Sequence, residues 1–146
     1  MSEMRRPRYV AIDLGELPVE AINRALGTEL EPGRARLSAR AHEHIAVDHP
    51  ADYAVCLDLL PQVITNPSFI GQDPRHTENF ELVRRVPLQA GAVLVAVCLE
   101  PDGHGAYRVV TAYLITPDKL DRRRRVGTLH SVALVGLLTT NEKGPD

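Results

Sequence analysis

Three histidines fall within eight residues, His42, His44 and His49, with Asp48 directly before the last. Imidazole is the side chain best suited to moving protons near neutral pH, and together with carboxylates it is also a common zinc ligand. Spacing decides against the metal. Two residues apart, His42 and His44 point to nearly opposite sides of a helix, whereas His44 and Asp48, four apart, share a face. His49 sits where Pro50 must break the turn. There is no His-Glu-x-x-His pattern and no cysteine pair nearby, so no metal set is expected. Two readings stay open on spacing alone: semi-exposed histidines at the surface and the helix end, where the dipole favours a cation, or an acid–base pair.

A second group lies on the strand expected over Ala106–Thr116. Strict alternation puts Tyr107, Val109, Thr111, Tyr113 and Ile115 on one face and Arg108, Val110, Ala112 and Leu114 on the other. Two phenols beside a threonine hydroxyl suit a cleft in which bases could stack, although Tyr and Thr also simply favour strands. The run Arg122–Arg125 has phosphate-binding chemistry, but such a run is more often a solvated loop, and a loop is the expectation.

These groups must be held by elements the sequence punctuates clearly. Tyr9–Leu14 reads as a strand ended by Gly15. Pro18 opens a helix with Val19, Ile22 and Leu26 as its apolar stripe and Gly27 as its stop. Arg34–Leu37 fits a short strand. Ser38 is an N-cap for a helix through Asp48, and a second helix over Ala51–Leu60 precedes another turn begun at Pro61 and closed by Asn66-Pro67. Beyond Pro67 the period becomes two: Phe80, Leu82, Arg84 and Val86 alternate with Asn79, Glu81, Val83 and Arg85. Val93–Leu99 is apolar on both faces, as a central strand would be, and the turn Pro101–Gly105 joins it to Ala106–Thr116 as a hairpin. Pro117–Arg125 is expected as a loop or short helical turn, and Thr128–Leu138 as a strand or a helix. Helices first and sheet second give an α+β domain, with N-terminal helices packed on a C-terminal antiparallel sheet.

Read together, these segments resemble a known family. His44-Ile45-Ala46-Val47-Asp48-His49-Pro50 is similar to the His-Ile-x-x-Arg/Lys-His-Pro signature of the phage-associated nucleases of the barnase–EndoU–colicin–RelE superfamily. Leu37-Ser38 upstream, Ala51-Asp52-Tyr53 downstream, the turn Thr65-Asn66-Pro67-Ser68-Phe69-Ile70-Gly71 and the strands Val93–Val97 and Val109–Tyr113 follow in the family's order. The resemblance implies metal-independent RNA cleavage by attack of the ribose 2′-OH, with no cofactor. That chemistry needs a base, an acid and a group that steadies the phosphorane. The resemblance assigns proton transfer to His44 and His49, in unspecified order, and a hydrogen bond to the phosphate from Thr111. Tyr107 and Tyr113 would line the substrate cleft. Asp48 is the departure, because the family carries a cation there. A carboxylate at that position would repel a phosphate, or it could orient His44; Arg84 or Arg85 would then supply the missing charge. A catalytically weak or inactive module that holds RNA or a protein is the alternative. RNA is the expected partner, with an immunity or antitoxin protein as a second class.

The totals agree with one domain spanning residues 1–146, with frayed ends at about 1–8 and 139–146. Aromatic residues are 4 % and Trp is absent, so the core must be aliphatic. The net charge of −2 argues against a uniformly basic nucleic-acid binder and leaves room for a local basic groove. Cys56 and Cys98 sit in apolar runs and are expected to be buried and unbonded. No apolar segment follows the charged start, and Val93–Leu99 is too short to cross a bilayer, so the expectation is a cytoplasmic protein or one exported without a signal. Nucleotide-binding loops and the Gly-x-Ser-x-Gly elbow are absent, which leaves a small-molecule enzyme without a positive motif.

Overall fold

The computed structural model describes residues 9–87 and 91–133. The elements are, in order, β1 (Ile12–Glu16), α1 (Val19–Leu26), β2 (Arg34–Leu37), α2 (Ala39–Asp48), α3 (Tyr53–Thr65), β3 (Phe69–Gly71), β4 (Asn79–Arg85), β5 (Ala92–Cys98), β6 (Tyr107–Ile115), α4 (Pro117–Arg125) and β7 (Leu129–Ser131). The frayed ends expected at about 1–8 and 139–146 lie outside the described residues, as does the end of the segment expected over Thr128–Leu138.

Most boundaries follow from local chemistry. Gly27 closes α1 with φ of 69°, a left-handed conformation that costs glycine little. Ser38 Oγ accepts the Ala41 amide at 3.1 Å and so starts α2. Asp102 Oδ1 accepts the amides of His104 and Ala106 and tightens the β5–β6 turn. Three expectations change. β1 does not stop at Gly15: it bulges there, with φ of 103° and a register shift between Asp13 and Gly15, and continues to Glu16. Pro61 does not start a new helix but lies inside α3, on its exposed side, so the hydrogen bond it cannot donate is not missed in the core. Pro117–Arg125, expected as a loop or short helical turn, is a full nine-residue helix: Thr116 caps it by accepting the Lys119 amide at 3.2 Å, and Pro117 occupies its first turn.

The fold is α+β, and the seven strands among the described residues run in the order β1-β2-β6-β5-β4-β3-β7. All neighbouring pairs are antiparallel except β2 and β6, which run parallel over Ala35–Arg36 and Tyr107–Arg108. The expected antiparallel sheet is thus extended into a mixed one by two N-terminal strands. β5 lies at its centre and is buried on both faces from Ala92 to Val97. On one face α1, α2 and α3 bury Ile22, Ile45, Leu60, Val63 and Ile64 against Phe80, Leu82, Val93, Val95 and Val97. On the opposite face a smaller cluster joins Phe69, Val83, Ala92, Leu94, Ile115 and Leu129 to Leu120 of α4.

Candidate active site

Two features of β6 position the site. The first is its edge. β2 pairs only with Tyr107 and Arg108, so the strand beyond them faces the α2–α3 junction instead of another strand. Asp52, at the start of α3, accepts the Leu114 amide with Oδ2 at 3.0 Å and seals part of this edge with a side chain. The second is a bulge. Ala96 pairs with Thr111 but Val97 pairs with Val109, so Val110 is an extra residue. The alternation changes phase there. Tyr107 and Val109 face the helices with Ala112, whereas Tyr113 and Ile115 join the cluster on the far side.

This separates residues that simple alternation places together. Tyr107 is 1 % exposed, and its hydroxyl donates to the Glu31 carbonyl at 2.8 Å. It is a core residue and leaves the expected substrate cleft. Thr111 and Tyr113 line a cleft of about 380 Å³ on the far face, whose floor includes Ala96 and Glu81. Register puts Thr111, Ala96 and Glu81 in one row across three strands, and the small Ala96 leaves the hollow between the other two. The Thr111 Oγ1 atom is buried without a hydrogen-bond partner among the described residues, which is uncommon for a hydroxyl. Tyr113 titrates above the ordinary phenol range, chiefly because burial disfavours its charged form and secondarily because Glu81 is close.

The histidines divide. His44 and His49 come together at the end of α2, with ring centroids 6.5 Å apart. His49 ends the helix, its amide bonded to the Ile45 carbonyl, and its ring lies 5.4 Å from that of Tyr113 at an interplanar angle of 30°. His44 Nδ1 lies 2.8 Å from Asp48 Oδ2, the contact that four-residue spacing allows. A carboxylate only accepts, so Nδ1 carries the proton and Nε2 is left for a substrate. His42 goes elsewhere. It is 6 % exposed, with Nδ1 2.9 Å from the Val10 carbonyl, Nε2 2.7 Å from the Tyr53 hydroxyl, and the Tyr9 ring against it edge-on. The surface position expected for it is replaced by a buried clamp between the N-terminal segment and α3, with both nitrogens engaged.

Arg84 and Arg85 do not line the clefts beside Tyr113. Arg84 Nη1 donates to the Asn66 carbonyl at 2.6 Å, which ties it to the end of α3, and Arg85 stacks on Phe69 at 5.1 Å. In their place the structure reveals a polar group with no prominent sequence signal. Glu81 is 6 % exposed and pairs with Arg123 Nη2 at 2.5 Å, while Arg123 Nε donates to Thr128 Oγ1 at 2.6 Å. Thr-Pro-Asp at 116–118, a cap followed by a first-turn proline and an acid, was the available sign that the arginine run belongs to a helix. Among the described residues no group of three or more His, Cys, Asp or Glu could hold a metal ion, and no helix is long and apolar enough to cross a membrane.

Cys56 is buried and free, its thiol pushed up to about 12 by burial and by the nearby Asp52 charge. Cys98 is free but only half-buried, at the end of β5, so the expectation of burial fails for it.

Comparison with the curated proteins and with the solved structures gives no match. Among protein families, the model for the phage-Barnase-EndoU-ColicinE5/D-RelE like nuclease2 family matches residues 21–130, a stretch that contains the paired histidines, all of β6 and the whole of α4. The chain belongs to this nuclease family.

Proposed function

We propose that the protein is a metal-independent endoribonuclease, phage-associated or toxin-like, that cleaves RNA by attack of the 2′-OH on the adjacent phosphorus. The observation that carries this reading is the convergence of His44 and His49 within 6.5 Å, with His49 against the ring of Tyr113 in the cleft-lining strand. One imidazole removes the 2′-OH proton as the new P–O2′ bond forms. The other protonates the departing 5′-oxygen as the P–O5′ bond breaks. The products are a 2′,3′-cyclic phosphate and a 5′-hydroxyl. Thr111, two residues from Tyr113, is assigned the hydrogen bond to the phosphate on the strength of its unpartnered hydroxyl. The 2′-OH that serves as nucleophile also restricts the reaction to RNA.

The test is incubation of purified protein with total RNA in EDTA, followed by end-group analysis. Cyclic phosphate ends that form under chelation support the reading. Activity abolished by EDTA and restored by zinc or magnesium overturns it.

Asp48 favours a second reading, a module that holds RNA or a protein without cutting, since it sets a carboxylate where the family carries a cation. The 2.8 Å contact with His44 Nδ1 supports a positioning role for it instead. On that account Asp48→Arg lowers cleavage by roughly tenfold or more with folding intact, because the imidazole loses the partner that fixes its tautomer. If wild type and variant are both inactive and the variant binds RNA more tightly, the binding module stands.

A further inference from the structure

α4 is attached to the sheet in an unusual way for so short a helix. Leu120 is its buried residue, and two of its arginines also anchor it, Arg123 by pairing with Glu81 and Arg124 by stacking over the Phe69 ring at 4.9 Å. The rest of its last turn is cationic and exposed. Compensation of the helix dipole accounts for positive charge there in general, but it does not account for where the charges face. Between α4, the loop at Asp73–Arg75 and β6 lies a cavity of about 320 Å³. Tyr113 is part of its wall, and the cations Arg75, Lys119, Arg122 and Arg123 line it against a single carboxylate, Asp73.

The partners of these cations separate them. Arg123 is engaged by Glu81 and Thr128. Arg75 Nε lies 3.5 Å from Asp73 Oδ1. Among the described residues Lys119 and Arg122 make no ion pair. Two unneutralised cations thus face a cavity that shares Tyr113 with the histidine site. The Arg123–Glu81 pair beside them ties α4 to β4.

We infer that this cavity seats a backbone phosphate of single-stranded RNA adjacent to the cleaved one, gripped by Lys119 and Arg122, with Tyr113 between it and His49. The inference rests on the nuclease reading and adds to it the surface that holds the substrate. It also replaces Arg84 and Arg85 as the source of the charge that position 48 lacks. Asp73 opposes the phosphate and sets a limit on affinity.

The experiment measures binding of a labelled 2′-O-methyl oligoribonucleotide, which has no free 2′-OH to attack, as a function of salt, alongside cleavage of the matching RNA. The proteins are the full chain and its variants Lys119→Ala, Arg122→Ala, Asp73→Asn and Arg125→Ala. Arg125 is exposed on the same helix but does not line the cavity. Lys119→Ala and Arg122→Ala are expected to weaken binding about fivefold each, the upper range for an exposed ion contact. Each should lower the slope of log K against log salt by about 0.7. Asp73→Asn should tighten binding, and Arg125→Ala should stay within about twofold of wild type at moderate salt. Equal losses in Arg125→Ala and the two cavity variants overturn the inference in favour of diffuse attraction. Wild-type cleavage with unaltered binding in both cavity variants overturns it while the nuclease reading stands. Tight, cavity-dependent binding without cleavage sustains the phosphate seat and removes the nuclease reading. No RNA binding by the wild type overturns the inference outright.

Discussion

The two faces of the sheet are built on different principles. The helix-facing side is aliphatic and closed: Leu37, Ile64, Phe80, Leu82, Val95 and Val97 have no measurable exposure, and three helices cover them. Among the described residues the far side carries one short helix over a small apolar cluster, and beside that cluster it places a largely buried ion pair, a threonine hydroxyl without a partner, a half-buried tyrosine and two clefts. Burial of apolar area stabilises the first side; the second gives up part of that gain to polar groups whose burial costs free energy. A fold of this size can carry such a face because the opposite one is well packed. Stability and chemistry are therefore expected to respond to different substitutions.

The largest effect separates them most cleanly. His44→Ala and His49→Ala should each reduce RNA cleavage by roughly 10² to 10⁴, the range for loss of a general acid or base, with thermal unfolding nearly unchanged. A variant that cuts normally removes that histidine from the mechanism. Next, Leu82→Ala on the closed side should cost about 2–5 kcal/mol by denaturant titration, with substrate affinity preserved in the folded fraction. A loss well below 2 kcal/mol would mean that the helix-facing core collapses around cavities and is no more rigidly packed than the far side.

Glu81→Gln tests whether polar contacts hold the far side together. Arg123 keeps 23 % of its side chain in solvent, so the cost should fall below that of a fully buried pair, at about 2 kcal/mol. A change within about 0.5 kcal/mol would show that Leu120 and the Arg124–Phe69 stack suffice to fix α4. The smallest effect concerns the thiols. Cys56 should resist alkylation at neutral pH, whereas Cys98 labels readily in the folded protein. The sign of the pH dependence follows: a thiol held protonated by the fold adds stability below the ordinary thiol range. That contribution declines as pH rises from there towards 12, because the unfolded chain ionises first. Equal labelling of both thiols would contradict the burial of Cys56.

Where the sequence was readable, a single local device carried the information. Pro18 with its stripe and Gly27 delimited α1, and Ser38 set the start of α2. The spacing of His44 and Asp48 foretold their contact, and the doubly apolar run marked β5 as central. What escaped depended on partners far along the chain. β3 is three residues long, too short for a period of two to register, and it exists because β4 and β7 flank it. His42 could not be placed without Val10 and Tyr53. Glu81 looked like any outward residue of an alternating strand until Arg123, 42 positions later, came to rest against it. The parallel β2–β6 contact needs both strands placed before it can be seen.

The extra residue at Val110 has a consequence for sequence comparison and for protein engineering. It makes β6 two half-strands of opposite phase: Tyr107 and Val109 face the helices before it, and Ala112 and Leu114 face them after it. Deleting that one residue would return the strand to even alternation, so one half would have to turn over: a phenol would be expelled from the interior, or Tyr113 would be drawn into it. An alignment that closed a one-residue gap at this point would set Tyr107 opposite the wrong class of position. Length, more than composition, is the property of β6 that a redesign must leave alone.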